Sequence, residues 1–481
     1  MTDPRDDVDV WLHAEVEPIH PPPGTFERIR KQARRRKRRR ALVAAASAGA
    51  VAVVTVLAVV ALPKVVPSVL HLRKTSVGSS AARGTFRPRS DVVTTPTPDA
   101  STPHTAPGQL PPVPGHFAPT SVTFVGLDTG WVIGQAGTPG HCYNGYICTS
   151  VARTDTHGGT WYGVHAPPTG APQGASGVSQ IRFLEGINGW AFGPQLWATH
   201  DGGQIWTQIS TGGLRVTSLE TVGSEAFAVF ARCTGNGTDF AAGCTRFYLY
   251  SSPAGSDAWR PVPGLAGGFG APGGGAGSAA VVLTSGRGYF YTPAGTLFSG
   301  PVTDGAPWTG AARAALPCLP GTASASGRPS GGQLAAYGAG GLALACPAGG
   351  AGGAAGGAGG AGGGAGGGAG GADQQETIYG SADGGQTWQR SGALTTAGPA
   401  TSLAAAGDGV MVLGTGACID VSADNGARWR QAQVGPAGGF SYVGMTSTVQ
   451  GVAVPADASL HEVWFTFDRG QSWTAWPIRG G

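Results

Sequence analysis

The stretch Ser381-Ala382-Asp383-Gly384-Gly385-Gln386-Thr387-Trp388 constrains this chain more than any other, because its pattern of Ser/Thr, Asp two residues on, Gly two further and Trp at the eighth place returns. The pattern recurs at Thr199, Asp201, Gly203 and Trp206, at Ser422, Asp424, Gly426 and Trp429, and at Thr466, Asp468, Gly470 and Trp473. Each copy lies between two short apolar runs, which is where a β-hairpin turn belongs. The hydroxyl and carboxylate can accept hydrogen bonds from the turn's own amides. Glycine supplies a positive φ at little cost, and the tryptophan opens the outgoing strand with a large apolar body to bury.

Three decayed copies accompany these four. Thr154 to Trp161 has Thr156 where the aspartate is expected, Ser252 to Trp259 keeps only its ends, and Thr303-Asp304-Gly305 before Trp308 is shortened. The seven tryptophans 161, 206, 259, 308, 388, 429 and 473 are 41 to 53 residues apart, except for one interval of 80. A second repeat precedes each box, an apolar strand, a small turn and another apolar strand, as in Ser121–Val125 before Gly130–Ile133 and Ile181–Leu184 before Gly189–Phe192. Seven units of about four short strands cannot each bury both sheet faces alone, whereas a ring of them can. The expected fold is all-β, a single seven-bladed β-propeller over 116–481. The long interval contains the Gly/Ala tract 347–372, which has almost no side-chain area to bury. It reads as a disordered loop inserted in the fifth blade, with no function of its own.

The repeated motif resembles the Asp-box, or BNR repeat, of sialidase-like and sortilin-like propellers. The arrangement of the chain is similar to membrane-anchored BNR-repeat proteins of actinobacteria and, in blade pattern, to photosystem II assembly-factor-like propellers. The resemblance implies that the box is a structural turn remote from the ligand face, and that a face of the ring binds a protein or peptide partner.

Ahead of the repeats the chain changes character twice. Residues 1–40 form a polar tail, read as disordered and cytoplasmic, that ends in a basic run, and 41–62 carries no charge and is almost wholly apolar. Twenty-two residues span roughly 33 Å as a helix, near the ~30 Å hydrocarbon core. Basic residues just before such a span place the N-terminus in the cytoplasm and the chain beyond the span outside. The expected partner of 41–62 is therefore the lipid bilayer, in a single-pass cell-membrane protein. Residues 63–115, with Thr94-Thr95-Pro96-Thr97-Pro98 and Pro111-Pro112-Val113-Pro114, read as a Pro/Thr/Ser-rich linker. Of 31 basic and 27 acidic residues, 11 and 7 lie in 1–40, so the remainder carries 20 of each. That balance argues against nucleic-acid binding outside the membrane.

The cysteines all lie beyond the apolar span, where disulfides form. Cys142 and Cys148, and Cys233 and Cys244, each flank a short loop. Cys318 pairs with Cys346, unless Cys346 joins Cys418 across neighbouring blades; otherwise Cys418 is left alone. There is no CxxC and no His pair at ligand spacing, so no metal and no cofactor is expected.

The catalytic alternative is an exo-acting, sialidase-like glycosidase. The resemblance implies an arginine triad, a Tyr/Glu pair, an Asp acid and a Phe/Tyr-Arg-Ile-Pro motif, of which only Ile181-Arg182-Phe183 is present, without the proline and in the second blade. A glycosidase needs two carboxylates facing across a cleft. Asp201, Asp383, Asp424 and Asp468 are engaged by turns, while Glu185, Glu220, Glu225, Glu376 and Glu462 are scattered. No serine partner stands out for His141, His157, His165, His200 or His461, and His200 reads as an exposed turn residue. Trp131 and Trp190 read as inter-blade core rather than sugar platforms. The expectation is a monomeric, non-catalytic binding or scaffolding module for an unidentified protein, peptide or envelope polysaccharide.

Overall fold

The computed structural model describes residues 111–479, apart from 137–147, 237–238, 275, 304, 311–315, 320–330 and 349–373. All of these belong to the compact unit Asp99–Gly481. The expectations for the tail, the apolar span, linker residues 63–110 and the Gly/Ala tract from 349 onward lie outside the described residues. Among the described residues, no helix is long and apolar enough to cross a membrane.

Seven antiparallel sheets form seven blades, each built from consecutive strands paired in chain order. The first blade runs Ala118–Val125, Thr129–Ala136, Cys148–Thr154 and Tyr162–Val164. The strand that opens each blade lines the middle of the ring. These inner strands run parallel from blade to blade and are tied by hydroxyls. Ile181 N donates to Ser121 Oγ (3.3 Å), Phe183 N to Thr123 Oγ1 (3.4 Å) and Val443 N to Ser402 Oγ (2.7 Å). The alternation of Ser/Thr with apolar residues in these strands thus has a cause: one set of side chains bonds the next blade and the other enters the core. Second strands such as Gly189–Phe192, Met411–Thr415 and Gly451–Pro455 are buried at every position, as near-continuous apolar runs require when both sheet faces are covered. The outer strands, such as Thr207–Ile209 and Arg260–Pro261, are mostly exposed.

The core is divided among the seams. Seven apolar clusters each draw on two adjacent blades. The one between the last and first blades joins Val452, Val454 and Phe465 to Val122, Val132 and Trp161. Val113, in the expected linker, is buried in the same cluster. Among the described residues no strand crosses that seam. His461 Nδ1 lies 2.8 Å from Phe117 O, and Gln450 Nε2 donates to Leu127 O at 3.1 Å, adding two polar ties to the packing.

Trp131 and Trp190 are both 0% exposed and belong to the seams. Trp131 stacks on Phe183 of the next blade at 3.7 Å. The box tryptophans differ from expectation. Trp161, Trp308 and Trp473 are buried, but Trp206, Trp259, Trp388 and Trp429 are only half-buried. They sit where the chain enters an outer strand, so one side of the ring faces solvent.

Disulfides join Cys233 to Cys244 and Cys318 to Cys346. Cys148 is disulfide-bonded, and its expected partner Cys142 lies outside the described residues. Cys418 is free and buried, and burial pushes its thiol up to about 11. The fifth blade's second strand, Gly341–Pro347, extends one residue into the expected insertion.

Candidate functional site

The box residues form turns closed on themselves. Thr199 Oγ1 donates to Asp201 Oδ1 (2.8 Å) and accepts from Gly203 N (3.0 Å), while Asp201 Oδ1 accepts from Gln204 N (2.8 Å) and Ile205 N (2.9 Å). The turns at Ser381 and Thr466 repeat this set, and Ser422 repeats most of it. In the first blade Thr156 Oγ1 takes the carboxylate's place, accepting from Thr160 N at 2.9 Å. Hydrogen bonds from the Thr387 hydroxyl and amide, with others, hold Asp383 down at about 2. These carboxylates are saturated by donors from their own turns, which leaves them poorly suited to acid–base chemistry.

The box glycine has a second role. Gly158, Gly385, Gly426 and Gly470 all have positive φ. A Cβ on Gly385 would come within 2.3 Å of Leu297, on Gly426 within 2.9 Å of Ile378, and on Gly158 within 2.6 Å of Phe465. In each case the atom met belongs to the preceding blade. The box is therefore also the place where one blade closes on another.

Two polar networks cross seams, and neither was visible in the sequence. In the middle of the ring Arg182, from the second blade, reaches Glu220 of the third (Nη2–Oε1 3.3 Å) and Ser121 of the first (3.4 Å), and lies 5.6 Å from the ring of Tyr442 in the seventh. Burial alone would lower the Arg182 pKa, but Glu220 and Tyr442 more than offset it and the net shift is upward. Burial raises Tyr442, opposed by Arg182. Glu220 is thus committed to an ion pair. At the box end His200 places Nδ1 2.7 Å from Asn188 Oδ1 and Nε2 2.9 Å from Asp257 Oδ2, and Trp190 Nε1 donates to the same Asp257. His200 is exposed as expected, but it also clamps the second blade to the third.

The two ends of the strands are unlike. At the box end no connection exceeds seven residues; at the other, connections reach 18 residues (262–279), 22 (311–332) and 26 (348–373). Every described cysteine lies at this loop end, as do two clefts. One is lined by Gln195, Gln208, Ser210, Thr211 and Leu214 of the second blade. The other, of about 670 Å³, is lined by Arg232, Thr245, Arg246 and Tyr248 of the third and by glycines of the loop after it. No carboxylate lines either cleft. Among the described residues no cluster of His, Cys, Asp and Glu could hold a metal ion. The box end carries a third cleft, lined by Asp424, Arg428, Trp429 and Arg469 of the sixth and seventh blades, and exposes apolar side chains in the seventh, first and second blades, namely Leu127, Ile187, Ile205, Val449 and Phe467.

No protein-family model and no curated protein matches the chain. Solved structures do. YCF48 from Cyanidioschyzon merolae is 13% identical, covering 65% of this chain and 87% of its own at a TM-score of 0.39. The Niastella koreensis GH74 enzyme is 12% identical over 74% of this chain and 65% of its own, at 0.34. Saccharomyces cerevisiae Sqt1 is 9% identical over 76% and 98%, at 0.41. Likenesses of this size carry no functional argument.

Proposed function

We propose that this protein is a non-catalytic binding or scaffolding module of the Asp-box type, held at the membrane by residues 41–62, whose exported propeller takes a protein, peptide or envelope ligand on its loop end. One observation carries this reading: the long loops and the described cysteines gather at one end of the strands, together with two of the clefts. Function on propellers and barrels concentrates on loops positioned by a rigid scaffold, and disulfides at the loop bases restrain the geometry those loops present.

The glycosidase alternative requires a carboxylate pair flanking a cleft. Glu220 is bound by Arg182 and the box aspartates by their turns, and this supports the binding reading. A second reading rests on the box end, where the exposed apolar residues would serve as a contact surface. Incubating the full-length protein with a panel of glycoside reporter substrates tests the principal reading. No sugar release is expected. Release that is lost on changing a single Asp or Glu would overturn it. Protease added to intact cells is expected to remove the propeller, and protection of the propeller would contradict the proposed topology.

A further inference from the structure

Strands Glu225–Cys233 and Cys244–Pro253 of the third blade pair so that Arg232 stands directly opposite Arg246. Residues directly opposite in an antiparallel pair project from the same sheet face with Cβ atoms about 4.5–5.5 Å apart, and like charges so placed are destabilising. Both arginines are exposed, and among the described residues neither guanidinium has a carboxylate partner. The surroundings leave the pair open rather than relieving it. On the far side of Arg246 the neighbouring residue is Gly270, which has no side chain to cover the charge. Gly268 lies so close that a Cβ there would come within 2.6 Å of Arg246 Nε and 2.5 Å of the Tyr248 ring. The loop backbone therefore forms a wall against which the arginine and tyrosine rest. The Cys233–Cys244 bridge ties the two strands beside Arg232 and Thr245, so the site is held before any ligand arrives.

We infer that this cleft binds a phosphate group, with Arg232 and Arg246 sharing its charge and the Tyr248 hydroxyl, on the same sheet face as Arg246, available as a further donor. Two guanidiniums supply two planar forks of N–H donors. A carboxylate, with one charge and two oxygens, is matched by one fork. A phosphate monoester carries about −1.5 to −2 charges and three strong acceptor oxygens, which suits both. The open glycine wall and a volume of about 670 Å³ leave room for the group to be carried on a larger molecule. This deepens the binding-module reading and rests on it only for the identity of that carrier.

The test uses the full-length protein in detergent, titrated by calorimetry with inorganic phosphate, glycerol 3-phosphate and acetate, alongside Arg232→Gln, Arg246→Gln and, as a control on the sixth blade, Arg430→Gln. Glycerol 3-phosphate is expected to bind the native protein and the control alike. It should bind each cleft variant at least tenfold more weakly, and acetate should bind at least tenfold more weakly than either phosphate. Equal affinity for the two phosphates identifies free phosphate as a sufficient ligand, and preference for the ester points to a carried group; both support the site. In phosphate-free buffer the Arg232→Gln/Arg246→Gln protein should melt higher than the native one, because the like-charge pair is gone, and phosphate should no longer raise its melting temperature. Phosphate affinity unchanged in both single variants, or no binding at millimolar phosphate, overturns the inference. Retention on isolated envelope measured on the same variants separates this failure from failure of the broader reading. Retention of the native protein on envelope with no phosphate binding overturns the phosphate site alone.

Discussion

At the box end the chain turns within seven residues and the box aspartates bond the amides of their own turns; at the loop end it runs through connections of up to 26 residues held by disulfides. The first is local chemistry. Each turn carries its own donors and acceptors, so it can be copied around the ring with few ties to its neighbours beyond one glycine contact and, in the second box, the bonds of His200 and Gly202. The second is chemistry at a distance, where cysteines and arginines from separate strands meet only because the blade is formed. A surface built the first way resists change, and one built the second way can vary its loops without cost to the ring.

The largest expected effect concerns what both ends share. Trp131→Ala removes a fully buried ring stacked on Phe183 and hydrogen-bonded to Gly202 O. It should cost about 3–5 kcal/mol through the cavity left behind, as read by denaturant unfolding. If the loss is under ~1 kcal/mol, the seams are not the core. Next, Cys318→Ser should destabilise the loop end by about 2–4 kcal/mol, since the bridge to Cys346 closes a 28-residue separation. Reductant should erase the difference between variant and native protein.

A third expectation is set by pH. Glu376, at the loop end of the fifth blade, is buried with Oε2 unpartnered among the described residues. Burial raises it from an ordinary 4.5 to about 7. The folded state therefore holds this proton more tightly than the unfolded one. Its contribution is fully present below about 4.5 and is lost as pH rises through about 7, a swing on the order of 3 kcal/mol. Glu376→Gln should remove that pH dependence and stabilise the protein at pH 8; an unchanged pH profile would place the carboxyl elsewhere. At the box end, Asp383→Ala should lower the melting temperature modestly without affecting ligand binding. Loss of binding at native melting temperature would make the box a site. The smallest effect is a gain: Thr156→Asp, restoring the decayed first box, should add up to about 1 kcal/mol, and a loss would show that the hydroxyl network fits better than a carboxylate.

The ring was legible because the boxes are local and recur. Ser381, Asp383 and Gly385 announce a hairpin turn wherever they stand, and seven such signals at similar spacing leave few alternatives to a propeller. The cysteine pairs were legible for the same reason, with Cys233 and Cys244 flanking one loop. Arg232 and Arg246 lie just outside those two cysteines, so the hairpin register held the clue to their meeting. A bulge between Arg232 and Cys233 shifts that register, and no turn residue marks it. Arg182, Glu220 and Tyr442 were illegible altogether. They come from three blades, and only closure of the ring by side-chain packing brings them together. Burial of the box tryptophans was overestimated because the pattern reveals that a strand begins, not that it is the outermost of four.

The central claim is that the ligand lies on the loop end, and retention of the full-length protein on isolated envelope measures it most directly. Two sets of variants that leave the core intact are compared with the native protein: Gln208→Trp and Ser210→Trp at the loop end, and Leu127→Ser, Ile187→Ser and Val449→Ser at the box end. Retention should be at least tenfold weaker for the loop-end set and native for the box-end set. Loss of retention confined to the box-end set would contradict that claim.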